Sequence, residues 1–212
     1  MNWGVVTLPV ACDWFVKDCL LIMQNLLLQE FIRYTESRFG QPVLERVVMR
    51  ESREAILKSA PWRFVEASEL DRVVAAVTGE TGVAAGDLLR GFGRSLFCTL
   101  INLPLLQPDC DDLFEYLKLL ESGFYAELED LLPDIELPRL VCCRRDEQTL
   151  EVIYGSPRRW GSLAQGLIEA CIGHFHERVI LRRFEDPGDP EEVRFVLTRP
   201  EWRSSVGLPL RG

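Results

Sequence analysis

From Cys19 to Phe39 apolar residues return every three or four positions, at Leu20, Met23, Leu27, Phe31 and Tyr34. That spacing puts them on one face of an α-helix, which Gly40 and Pro42 should end. A second helix is expected over 42–50 and a third over 51–58, with Pro61 and Trp62 in a connection. Ser68 followed by Asp71 resembles a capping box, with Asp in the place of Glu, and opens a helix through Val77. Residues 78–81 form a Gly-containing turn, and 83–100 read as a helix weakened by Gly86, Gly91 and Gly93. Asp109, Asp111 and Asp112 suit the positive end of the next helix, which should reach Leu132. Pro133 and Pro138 then bracket a short extended link.

After Pro138 the pattern changes. Residues 139–145 and 149–154 read as strands joined by the polar turn Asp146, Glu147 and Gln148. A helix follows over 161–176. Two more strands, 177–185 and 192–198, are split by the turn Asp186-Pro187-Gly188-Asp189-Pro190. Helices come first, then strand, strand, helix, strand, strand. The pattern predicts an α+β fold, with an N-terminal helical subdomain packed on a C-terminal four-stranded antiparallel sheet that has an intervening helix.

Composition narrows the function classes. The 212 residues are 47% hydrophobic and 27% charged, an ordinary globular balance for one domain or one domain with an extension. A net charge of -9 argues against a nucleic-acid binder, although three arginine pairs (144–145, 158–159, 182–183) leave room for a local basic patch. The seven cysteines are irregularly spaced and form no C-x-x-C pair, which argues against structural zinc and for reduced thiols in a cytoplasmic protein. The apolar N-terminus lacks a basic segment before it, and Asp13, Lys17 and Asp18 interrupt it. Neither a signal peptide nor a membrane span is expected.

Candidate chemistry lies in "LEVIYGSPRRWGSLAQGL", residues 150–167. Tyr154, Ser156 and Arg158 alternate where a strand hands over to a helix, so they point to one side. A phenol, a hydroxyl and a guanidinium there make a clamp for carboxylates. On spacing alone, a surface strand end with solvated polar residues fits as well.

The surroundings favour the clamp. The stretch resembles the Y-x-S-x-R motif of the H-NOX family, the haem nitric-oxide/oxygen-binding domain of soluble guanylate cyclases and bacterial gas sensors. "LLLQEFIRYTESRFGQPVLERV" is similar to that family's opening helix, and "ELDRVVAAVTGETGVAAGDLLRGFGRSLF" to its helix-turn-helix centre. "ELPRLVCCRRDEQTLEVIYGSPRRWGSLAQGLIEA" follows its proline, strand, motif and helix in order. The likeness covers residues 23–199, leaving 1–22 as an N-terminal extension and 200–212 as a tail. Residues 1–22 read equally as an upstream translation start or as an extra packing helix.

The resemblance implies haem b held by Tyr154, Ser156 and Arg158 at its propionates, with Pro138 pressing on the porphyrin. Leu27 and Phe31 would line the distal wall. Leu163 would stand where oxygen-binding members carry a tyrosine, so that nitric oxide is favoured over oxygen as the gas. Counting from Pro138 and Tyr154 without gaps, the family's iron-binding histidine position is Tyr125. The chain's two histidines, His174 and His176, follow the motif on the wrong helix.

Three readings of Tyr125 stay open: phenolate ligation of ferric iron, a tetrapyrrole held only by propionates and packing, or a pocket without haem. Tyr125 packing in the core beside Phe124 and Leu128 is the plain alternative. Cys142 and Cys143, adjacent on a strand, should face opposite ways, one into the core, and redox sensing through either is a minor reading. No nucleophile–base pair, phosphate loop or metal-protease motif marks an enzyme. The expected function is a stand-alone haem sensor for nitric oxide, redox state or haem. It would signal to a separate partner such as a histidine kinase or cyclic-nucleotide enzyme. The alternative is a haem-free scaffold or dimerisation module.

Overall fold

The computed structural model describes residues 13–50, 67–103, 106–107, 110–125 and 138–200. The helical part comprises α1 (Asp13–Phe39), α2 (Gln41–Arg50), α3 (Ala67–Thr81) and α4 (Ala85–Leu100). α5 (Leu113–Leu119) runs directly into a π-helical turn, Leu120–Tyr125. The rest comprises β1 (Arg139–Arg144), β2 (Thr149–Gly155), α6 (Gly161–His174), β3 (Ile180–Asp186) and β4 (Asp189–Thr198).

Most boundaries follow the sequence pattern, and the exceptions have physical causes. α1 begins before the apolar repeat does and crosses residues 22–23 unbroken, so the backbone marks no boundary there. α3 starts at Ala67, which puts Ser68 inside the helix rather than at its cap. Asp71 is committed elsewhere, as described below. The same helix continues through the expected turn at 78–81 and ends before Gly82, whose φ of 71° is the left-handed conformation that glycine tolerates. The β3–β4 turn is only Pro187 and Gly188, so Asp189 and Pro190 join β4. The expected helix at 51–58 and the end of the helix expected to reach Leu132 lie outside the described residues.

The four strands form one antiparallel sheet in the order β1-β2-β4-β3. Register pairs Leu140 with Tyr154 and Tyr154 with Val193. One face, including Cys142, Leu150, Val152, Tyr154, Val193, Phe195 and Leu197, is buried against the helices. Cys142 points inward and Cys143 is half-buried on the opposite face, as alternation requires. Both thiols are free. Glu151 breaks the alternation. It lies on the outer face yet is buried, because Arg145 and Arg194 close over its carboxylate from either side.

The helical core is centred on Phe31, Tyr34 and Phe92, with Phe31 and Phe92 edge to face at 5.1 Å. It joins the sheet half through α4 and α6. These helices meet backbone to backbone: a Cβ on Gly166 would lie 2.1 Å from the Arg90 carbonyl oxygen, and one on Gly93 2.3 Å from that of Leu163. Arg90 and Arg94 of α4 lock the joint by donating to Glu169 of α6, where Gln165 also donates.

Three such carboxyls make acid the condition that loosens the fold. The Arg145 guanidinium, with Arg194, holds the Glu151 carboxyl below the usual range. At Glu169 burial works upward, but Arg90, Arg94 and Gln165 outweigh it and the net shift is down. Asp112 is lowered in the same way, burial being outweighed by the Glu115 amide and Arg199. A carboxyl whose pKa falls on folding stabilises the fold above its unfolded value and loses that contribution as pH drops through its folded value. Thermal stability should therefore be nearly flat from neutral pH to about 5, then fall steeply below the free carboxyl range of about 3.9–4.3. A melting series across pH 7 to 3 checks this, and an unchanged midpoint at pH 3 contradicts it.

Candidate functional site

A cavity of about 170 Å³ lies between α5, α6 and the inner face of the sheet. Leu117 and Leu120 form one wall, Ala164, Leu167, Ile168 and Cys171 the facing one, with Leu140 and Tyr154 from the sheet. Phe97, Leu100 and Leu106 complete it, so apolar groups dominate. Two phenols touch it. The Tyr116 hydroxyl donates to the Leu106 carbonyl at 2.8 Å. Burial pushes the Tyr154 phenol up to about 12, eased by the Ser156 hydroxyl, so it stays neutral. Burial also raises the Cys171 thiol, which stays neutral.

At the sheet end of the cavity β2 stops and the chain turns. Ser156 is buried, and its Oγ accepts a bond from the Arg158 amide at 3.4 Å. Arg159 takes φ 55°, a left-handed conformation that costs a non-glycine residue about 1–2 kcal/mol. Trp160 then leads into α6. The Arg158 guanidinium already grips a carboxylate: Nη1 lies 3.2 Å from Oδ2 of Asp71 on α3. Trp160 Nε1 donates to the other oxygen of Asp71 at 2.9 Å, and the guanidinium lies 5.7 Å from the Trp160 ring centre. Without a propionate Arg158 is expected to lose its carboxylate partner. The structure corrects that expectation, because Asp71 supplies one from within the chain.

The expected site residues divide. Tyr154 lines the cavity, Ser156 is buried two residues on, and Arg158 follows in the same turn. Pro138 is half-buried and directly precedes β1, whose Leu140 lines the cavity. Leu27, Phe31 and Leu163 are core residues that are absent from the cavity walls: Phe31 packs on Phe92, and the Leu163 backbone lies against Gly93. Tyr125 is the last residue of the π turn, five residues after the wall residue Leu120. Such turns pair residues i and i+5 and often occur at functional sites. The exposed His174 packs edge-on to Phe97 at 5.7 Å. The wall residues on α5 and α6 gave no signal beyond helical apolar spacing, which marks core and cavity alike.

A family model described as haem-NO-binding matches residues 25–183. The chain belongs to this family, whose H-NOX domains are haem-binding gas sensors. Among solved structures it is similar to the Fe(II) unliganded H-NOX protein from K. algicida, at 23% identity and a TM-score of 0.73. That match covers 84% of this chain and 96% of that one. A mutant H-NOX of T. tengcongensis is 19% identical with a TM-score of 0.68, covering 84% of this chain and 97% of that one. The α+β architecture is thus the H-NOX fold. No curated protein matches the chain. No helix among the described residues is long and apolar enough to cross a membrane.

Proposed function

We propose that the chain is a haem-holding sensory domain whose porphyrin lies in the apolar cavity with its propionates at Tyr154, Ser156 and Arg158. The observation that carries this is Asp71. A carboxylate already sits on the Arg158 guanidinium, four residues after the cavity-lining Tyr154, so the donor set accepts the group a propionate would bring. Tyr154 and Ser156 supply two further hydroxyls. When bound, the haem would supply an iron centre for a diatomic gas. Ligand pockets for groups of drug or cofactor size run about 300–1,000 Å³, so seating a porphyrin requires the walls to part beyond the present 170 Å³.

The outputs that fit such a domain are a histidine kinase or a cyclic-nucleotide enzyme acting as a separate partner, in the cytoplasm. The second reading, a haem-free scaffold or dimerisation module, draws on the same Asp71 contact, which satisfies Arg158 without any cofactor.

Haemin affinity separates the two. Hydrogen bonds to charged groups contribute about 1.5–3 kcal/mol, so Arg158→Ala should weaken haemin binding about 10- to 100-fold. Asp71→Asn frees the guanidinium and should bind haemin at least as tightly as wild type. Equal affinity in wild type and Arg158→Ala would remove the clamp from the account.

A further inference from the structure

α5 forms one wall of the cavity, and its first turn is held in an unusual way. Two carboxylates cap it: Glu177 accepts from the Leu113 amide at 2.9 Å, and Asp112 from the Glu115 amide at 2.9 Å. Negative charge suits a helix N-terminus, but two carboxylates this close repel each other. Arg199, just past β4, lies between them. Its Nη2 donates to Asp112 at 2.8 Å and to Glu177 at 2.9 Å, and its Nε to Glu177 at 2.7 Å. The guanidinium lies 4.0 Å from the ring centre of Phe114, which is fully buried one residue into the helix. The Arg199 amide donates to the Gln148 carbonyl in the β1–β2 turn. One residue therefore ties the start of α5 to β4, to the α6–β3 link and to the first hairpin.

The two ends of this wall differ. Near the pin, Leu117 accepts from the Cys142 thiol of the sheet at 3.4 Å, and Tyr116 reaches Leu106. From Leu120 onward the helix is π-turned, and Ser122 returns its hydroxyl to Lys118 of its own helix. Burial of the Asp112 carboxyl is outweighed by the Glu115 amide and Arg199, which keeps it charged for this role.

We propose that Arg199 is a positioning residue that, through Asp112 and Glu177, pins the start of α5 to the sheet. That grip also holds the cavity-lining Leu117, four residues into the helix, in place against the sheet. The pin stands on its own contacts, and its coupling to the cavity rests on the haem reading above. Arg is needed for it: a planar fork reaches both carboxylates at once, whereas an ammonium cannot hold both in the same geometry.

Hydrogen exchange on the full haem-free chain tests the pin. Arg199→Met should speed exchange of amides 113–117 about 10- to 100-fold, the loss expected for charge-assisted bonds. α4 and α6 should keep wild-type rates, and Arg199→Lys should recover part of the protection. Uniform acceleration of every element, or none in α5, overturns the proposal. The rate of haemin loss to an excess of a haem-scavenging globin tests the coupling. It should rise by the same order in Arg199→Met, and an unchanged rate overturns the coupling. If wild type takes up no haemin, the haem reading and the coupling fall together, while the exchange experiment still decides the pin.

Discussion

Gly166→Ala is expected to lower thermal stability more than the same change at any other described glycine of the helices. The new Cβ would lie 2.1 Å from the Arg90 carbonyl oxygen, 2.9 Å from its carbon and 3.1 Å from the Arg94 amide nitrogen. These are backbone atoms of α4, so no side chain can swing away to make room. Relief requires α4 and α6 to separate, which also stretches the Arg90 and Arg94 contacts to Glu169. Overpacking costs about 1–3 kcal/mol where side chains can adjust, and more where they cannot. At about 2–4 °C per kcal/mol for a chain of this size, a loss of about 3 kcal/mol lowers the melting midpoint by about 6–12 °C. Gly79→Ala is the control. Nothing lies within 4 Å of its added Cβ in α3, and helix propensity predicts a gain of about 0.5–1 kcal/mol. Thermal melts of the two variants should move in opposite directions. A Gly166→Ala protein as stable as wild type would mean that the helices are not in backbone contact.

The second large effect is spectroscopic and belongs to Tyr125. A free phenol ionises near pH 10, about three units above neutrality, so a phenolate needs iron or another cation beside it. If Tyr125 ligates ferric haem, Tyr125→Phe abolishes the phenolate-to-iron charge-transfer band and changes the high-spin ferric signal. Tyr125→His then supplies the family's usual ligand and should give a ferrous, histidine-ligated species on reduction. A spectrum that Tyr125→Phe leaves unchanged assigns the iron to another group or to none.

How far the sequence carried depends on whether a feature is local. Strand alternation located all four strands, and it required Cys142 and Cys143 to face opposite ways, with Cys142 the one that proves buried. Tyr154, Ser156 and Arg158 were legible as a series of polar residues at a strand's end. The Asp71 partner of Arg158 was not, because the two residues lie 87 positions apart and only the fold brings them together. Asp71 instead suggested a helix cap, a role that a local pattern can propose and tertiary contacts can override. Gly93 read as a weak point in a helix, since propensity weighs a residue without the backbone opposite it. In the fold, the missing side chain is what lets α4 meet α6. Leu27, Phe31 and Leu163 are core residues, and their expected place at a porphyrin came from the family resemblance rather than from their own spacing. Glu151, outward by alternation, is buried because Arg145 and Arg194 pair with it. The π turn carries no composition signal of its own.

The central claim is that the slot between α5, α6 and the sheet holds a haem. The most direct measurement is an absorption titration of the purified full chain with haemin. The account predicts a Soret band that grows to a sharp end point at one haemin per chain and survives desalting. A titration with no Soret shift, or one that climbs without an end point as haemin adsorbs to the surface, would contradict it.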